Sequence, residues 1–297
     1  MNHLKITQQE LARLCNVSQG TVDRALNGRS DISEATRKRI LDTAKKYGFR
    51  SNNGNSKVRP IKTLGVILFD LNNQFFSRLI TDIEECAKEK GFTTLIMFTH
   101  YNQEEEIKCI RKMYASGVDA IILASVNGDC QFSTYISQLD IPVIQILNQT
   151  TQNTYVGIDD FLAMKQATEY LQKSYKHIVY FSPALSYENA YAQKRRYEGF
   201  LSVAKDYTVI TKHKDIKPVY SPDTAVLCSS DHYALYVYTV NKEVKIMGFD
   251  NLSLIDKLKL PIDSVDTNTR QIAENAVLLA FTNEKRNIIT QHKIIKR

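Results

Sequence analysis

The residues of this chain that could do chemistry are unevenly placed. Gln19 and Arg24 carry hydrogen-bond donors of the kind that can read base edges, and both fall within a strongly basic stretch. Asp159 and Asp160 form a carboxylate pair that could hold a metal, but directly before a helical pattern their expected role is to cap the helix beginning at Phe161. The six histidines, His3, His100, His177, His213, His232 and His292, include no H-x-x-x-H spacing, and neither G-x-S-x-G nor G-x-x-x-x-G-K occurs. Metal, activated-nucleophile and phosphate-loop chemistries therefore lack their residues, and no metal or cofactor is expected. Five cysteines, Cys15, Cys86, Cys109, Cys130 and Cys228, are odd in number and never form C-x-x-C, which argues against a disulfide framework and a zinc site.

The elements that must position Gln19 and Arg24 lie in the most charged part of the chain. Residues 1–62 hold 13 Lys and Arg against 5 Asp and Glu, a net of +8, whereas the whole chain is +7, so the remainder is close to neutral. Such asymmetry is the footprint of a small polyanion-binding module on a larger neutral domain. Three helical patterns occur there. Thr7 with Glu10 makes a capping box before Leu11, Ala12 and Leu14, and Asn16 and Val17 break that helix. Ser18 caps a second helix with Val22, Ala25 and Leu26 inward and Gln19, Gly20, Asp23 and Arg24 outward, ended by Asn27 and Gly28. Ser33 caps a third, with Ile40, Leu41 and Ala44 inward and Gly48 as its stop. Two short helices on a tight turn, closed by a third, predict a helix-turn-helix whose second helix enters a major groove.

Residues 51–62 are polar, contain Gly54 and Pro60, and have no apolar period, so they read as a linker. From Thr63 onward short β-branched runs alternate with amphipathic stretches, predicting βαβ units and parallel sheets covered on both faces. Strands are expected at 64–69, 93–99, 119–125, 142–147, 154–158, 177–182, 208–212, 225–229 and 244–249, and helices at 75–90, 104–116, 131–138, 160–173 and 189–205. So many strands exceed one compact sheet. Two doubly wound lobes follow, with ligand expected in the cleft at the carboxyl ends of the strands. The stretches 207–225 and 236–245 read as too short for full helices. No apolar run approaches the ~18 residues of a membrane span, and Gln8, Gln9 and Glu10 interrupt any secretory signal, so a reducing cytoplasm is expected.

Val17-Ser18-x-x-Thr21-Val22-x-Arg24-x-Leu26-Asn27-Gly28, then Ile32-Ser33-x-x-Thr36-Arg37 and Tyr47-Gly48-Phe49, resembles the DNA-binding headpiece of the lactose-repressor (LacI/GalR) family. The resemblance implies that Gln19 and Gly20 lead into the groove, Arg24 reads a base, and Thr21 and Asn27 lie near phosphate, with Thr7, Ser18 and Arg29 completing the DNA-facing set. Family members usually carry a Pro-Asn, an alanine and a leucine on a hinge helix that wedges into the minor groove. This chain keeps Asn52 but has Ser51, Asn55 and Val58 there, so residues 51–60 are expected to be non-helical without DNA, with Val58 a weaker wedge. In the large domain, Leu71-Asn72-Asn73-Gln74-Phe75-Phe76 is similar to the sugar-contacting loop of ribose-binding proteins. Ile141-Pro142-Val143, the run Arg196 to Phe200, Ser230-Asp231-x-x-Ala234-Leu235 and Gly248-Phe249-Asp250-Asn251 extend that resemblance. It implies a two-lobed, periplasmic-binding-protein-like domain whose effector is held by Asn73, Phe75, Phe76, Asn148, Arg196, Ser230 and Asp250. Asn148 stands where many sugar binders have Asp, Ser230 where Asn is usual, and Thr267 where Gln is common.

The expected architecture is therefore α/β: a three-helix helix-turn-helix headpiece over 1–50, a hinge linker over 51–62, and a two-lobed effector-binding and dimerisation domain over 63–297. The expected function is a DNA-binding regulator, a repressor, acting on a palindromic operator as a homodimer joined through the 75–90 and 104–116 helices and controlled by a small sugar-like effector. Two other readings stay open: a DNA-binding regulator switched by a protein partner, and a soluble enzyme or solute receptor with a basic N-terminus.

Overall fold

The computed structural model describes residues 7–26, 29, 32–46, 62–148, 153–186 and 191–297. The chain divides into two compact units, Met1–Pro60 and Ile61–Arg297. Asn27, Gly28 and the hinge stretch 51–60 with Val58 lie outside the described residues.

The first unit contains α1 (Gln8–Leu14), α2 (Gln19–Leu26) and α3 (Glu34–Lys46). The capping box forms: Glu10 N–H donates to Thr7 Oγ1 at 3.2 Å and Thr7 N–H to Glu10 Oε2 at 2.6 Å. Asn16 turns the chain at φ 48°, in the left-handed region that Asn tolerates, and Ser18 Oγ then accepts the Thr21 N–H at 3.1 Å to start α2. Leu11, Ala12, Cys15, Val22, Ala25, Ile40 and Ala44 make the core. Leu14 and Leu41, expected inward, are 51% and 44% exposed. Cys15 sits four residues after Leu11 and takes the inward position of α1, while Ile40 and Ala44, at the same spacing, fill that of α3.

In the second unit the chain runs through β1 (Lys62–Leu68), α4 (Gln74–Glu89), β2 (Phe92–Phe98), α5 (Gln103–Ala115), β3 (Ala120–Ala124), α6 (Cys130–Ser137), β4 (Val143–Ile146) and β5 (Tyr155–Ile158). It then crosses to α7 (Asp160–Leu171), β6 (His177–Phe181), α8 (Tyr191–Leu201), β7 (Asp206–Ile210), β8 (Thr224–Cys228), α9 (Asp231–Val240), β9 (Lys245–Phe249), α10 (Ser253–Lys257) and β10 (Ile262–Asp266). It returns as α11 (Thr269–Thr282) and β11 (Ile288–Thr290), and ends in β12 (Lys293–Ile295). Among the described residues these strands form two six-stranded sheets, ordered β11-β5-β4-β3-β1-β2 and β12-β10-β9-β8-β6-β7. Every pairing is parallel except that of β10 with β12. Two lobes result, joined by three crossings: β5 to α7, β10 to α11, and β11 to β12.

The alternation expected from sequence is present, with differences. Lys62, read as the end of the linker, already pairs with Phe92 in β1. A full helix, α9, begins upstream of the stretch judged too short, whereas 211–223 holds one short 3-10 turn, His213–Asp215. Elements α11, β10, β11 and β12 were not expected. The sequence of β10 shows why: Asp263 and Ser264 are fully buried, so the strand lacks an apolar run, and they are held instead by Lys245 Nζ at 2.7 Å and by Asp231. Among the described residues no helix is long and apolar enough to cross a membrane.

One close helix contact positions the site. A Cβ on Gly199 of α8 would lie 2.2 Å from the Phe161 carbonyl oxygen, so only glycine lets α8 rest on the first turn of α7. That contact brings Arg196, one turn earlier on α8, against Asp160.

Candidate functional site

The carboxyl ends of the strands face one another across a cleft of about 710 Å³ between the lobes. At its centre Arg196, 6% exposed, donates from Nε to Asp160 Oδ1 at 2.7 Å and from Nη1 to the Ser229 carbonyl at 2.7 Å. Its Nη1 also lies 3.6 Å from Asp250 Oδ1, and the guanidinium rests over Phe249, 3.6 Å from the ring centroid. Asp159 is the N-cap of α7, accepting the Leu162 N–H at 2.9 Å. The carboxylate pair therefore splits: Asp159 caps, and Asp160 is a site residue that sequence reading missed, because its partner is distant in the chain.

Asp250 follows β9 with φ 105°, a conformation that L residues adopt only under constraint. Its N–H donates to the Val265 carbonyl at 2.8 Å, aiming the side chain into the cleft. Burial pushes its carboxyl up to about 8, Arg196 opposing and Asp231 and Asp160 adding to the rise. Asp231, raised to about 7 by burial, accepts the Leu252 N–H and the Ser264 hydroxyl, both at 2.7 Å.

These raised carboxyls carry a sign. The folded protein keeps the Asp250 proton to higher pH than the unfolded chain does, so it binds more protons between the ordinary 3.8 and about 8, and stability of the ligand-free protein falls as pH rises through that window. Asp250→Asn is expected to shallow this slope and to raise the melting temperature near the top of the window by roughly a few degrees. Thermal melts across the window check this; identical slopes for both proteins would contradict it.

The remaining expected residues take varied places. Asn73 lines the cleft while its Oδ1 caps α4 by accepting the Phe75 N–H at 3.0 Å. Phe75 and Phe76 reach the cleft but belong to the first lobe's core, at 5% and 8% exposure. The rings with more surface are Phe69, half-buried, and Tyr101, exposed, which stack at 4.8 Å and 16°. Asn148 enters because Leu147 turns the chain at φ 67°, and its Nδ2 donates to the Ser125 carbonyl. Ser230 is the N-cap of α9 with no side-chain cap bond, and it lines the cleft. Sequence reading also missed Glu106. This buried carboxyl accepts from Ser125 Oγ at 2.7 Å and from the Val126 and Asn127 N–H groups, fixing the loop on which Asn148 leans, and burial raises it.

The lobes also touch beside the cleft. Arg78 Nη1 donates to the Asn251 carbonyl and the Leu254 N–H to Gln74 Oε1, each at 3.3 Å. Between them Leu252, carried by the second lobe, is buried in the core of the first, which also contains Phe75 and Phe76.

In the first unit Gln19, Gly20 and Arg24 are exposed on α2, opposite buried Val22 and Ala25. Ser18 and Thr21 join hydroxyls at 2.8 Å, Thr7 is engaged in its capping box, and exposed Arg29 offers its carbonyl to Arg37 Nη2.

Residues 61–296 match the family model described as periplasmic binding proteins and sugar binding domain of LacI family, and residues 7–52 match that of bacterial regulatory proteins, lacI family. Catabolite control protein A of Priestia megaterium is 27% identical over 290 residues, covering 88% of this chain and 87% of that protein. A LacI-family transcriptional regulator from Silicibacter pomeroyi superposes with a TM-score of 0.69 at 20% identity, covering 98% of each chain. The lac repressor dimer bound to operator and the anti-inducer ONPF superposes at 0.68 and 14% identity, covering 99% of this chain and 98% of that one.

Proposed function

This chain belongs to the LacI family of DNA-binding transcriptional regulators rather than to any class of enzyme, and from that premise we propose that it is a cytoplasmic repressor that binds a palindromic operator as a homodimer and responds to a small, sugar-like effector. Residues 1–50 would act as the headpiece, 51–62 as the hinge, and 63–297 as the effector-binding and dimerising domain. The observation that carries this reading is the joint presence of an exposed Gln19, Gly20 and Arg24 face on α2 and a cleft centred on Arg196 and Asp250. In it, Gln19 and Arg24 face bases, Thr7, Ser18, Thr21, Asn27 and Arg29 lie along phosphates, and Val58 meets the minor groove. Asn73, Asn148, Arg196, Ser230 and Asp250 hydrogen-bond the effector beside Phe75 and Phe76. The solved lac repressor dimer on its operator supports the two-fold arrangement, for which α4 and α5 are the proposed contact.

The test is a gel shift on DNA upstream of the chain's own gene. Arg24→Ala is expected to cost about 1–3 kcal/mol on the specific site and little on random DNA. Equal loss on both would reduce Arg24 to a phosphate contact, and no shift with either protein would remove the repressor reading.

A further inference from the structure

The contents of the cleft narrow the chemistry of what it binds. Arg196 is the one Lys or Arg among the described residues that line it, with His232 the other basic side chain, and the Arg196 charge is already shared by Asp160 and Asp250 through Nε and Nη1, which also bonds the Ser229 carbonyl. The segments 149–152 and 187–190, which adjoin the cleft residues Asn148 and Tyr191 in sequence, read QTTQ and YENA and hold no Lys or Arg. A phosphate or carboxylate entering here would lose its hydration without gaining an uncommitted Lys or Arg.

Several oxygens facing the cleft, by contrast, are short of donors. Asp70 and Asp250 line the same space, and Gln193 Oε1 is buried there with no hydrogen-bond partner. The Thr267 hydroxyl, on a residue only 2% exposed, is likewise unpartnered. These groups ask for a donor-rich ligand. The stacked pair of Phe69 and Tyr101 adds aromatic surface, whose negative face attracts cations. An alkylammonium supplies three donors and a positive charge and has no acceptor, which matches both features.

We propose that the effector is cationic: an amino sugar or other amino-bearing polyol, with its ammonium between the acidic side chains Asp70 and Asp250 and the aromatic face of the cleft. This inference rests on the reading of the cleft as an effector site. Hydroxyls of the same molecule would meet Thr267, Ser230 and Asn148. The ammonium would also bring the second positive charge that lets Asp250 give up its proton beside Arg196, which otherwise has one charge to share between Asp160 and Asp250.

The experiment is titration calorimetry on the full-length chain at neutral pH. The probes are glucosamine, galactosamine and mannosamine, each with its neutral parent sugar, its N-acetyl derivative and its parent's 6-phosphate. At least one amine is expected to bind about tenfold or more tighter than its parent and its N-acetyl derivative, the gain of one charge-assisted contact, and the 6-phosphates are expected to bind weakest. Asp250→Asn should bring amine and parent close to parity. Asp70→Asn, at a half-buried position outside the Arg196 cluster, should narrow the same gap without disturbing the fold. A parent sugar or 6-phosphate that binds as tightly as its amine overturns the cationic effector and leaves the effector cleft standing. Failure of every probe to bind at millimolar concentration overturns both.

Discussion

Arg196→Met is expected to destabilise the ligand-free protein by about 3–5 kcal/mol near neutral pH and to abolish release of DNA by effector. The substitution keeps much of the side-chain volume over Phe249 but leaves Asp160 buried without its counter-charge beside the Asp250 carboxyl, and leaves the Ser229 carbonyl without its donor. Burial raises both carboxyls, so the loss should shrink as pH falls and they take up protons. Arg196→Lys should recover part of the stability and none of the response, because an ammonium cannot reproduce the planar fork that bonds Asp160 and Ser229 together. Chemical denaturation at two pH values measures this. Unchanged midpoints for Arg196→Met would show that the cluster is not a buried ion network.

The second large effect is ionic. Operator affinity should fall by about 10³–10⁵ between roughly 50 and 200 mM salt, as expected when a dimer neutralises some 6–10 phosphates. The basis is the net +8 of residues 1–62, doubled by two copies, against a near-neutral remainder. A fragment spanning 62–297 should bind no DNA at any of these concentrations. Fluorescence anisotropy on a labelled operator reads both, and a flat salt dependence would remove the headpiece as the electrostatic contact.

Much of this molecule was legible in its sequence, for physical reasons that also mark where reading failed. Strands such as Leu64–Leu68 are buried on both faces, so they appear as near-continuous apolar runs. The caps at Thr7, Ser18 and Asn73 announce helix starts because their side chains satisfy backbone N–H groups locally. Where burial is achieved by polar pairing, as at Asp263 and Ser264, no apolar signal remains. Arg196 and Asp250 stood out by resemblance, but Asp160 looked like a second cap, since its role depends on α8 lying against α7. Phe75 and Phe76 read as a binding surface and are largely core, because aromatic pairs serve either purpose until their exposure is known.

Leu252 has a consequence for how such a switch is tuned. Withdrawing it from the first lobe would expose a leucine, worth about 1.5–3 kcal/mol, or roughly ten- to a hundredfold in population. The seated arrangement is therefore favoured before any ligand arrives, and under the proposed effector control the concentration at which the switch trips would depend on that bias as well as on the contacts to the ligand. On that reading, sensitivity and selectivity are encoded at separate positions. Exchanges among aliphatic side chains at position 252 would then move the set-point of the response through graded steps while the chemistry proposed for Asp250 and Arg196 stayed the same, leaving dose and identity free to evolve independently.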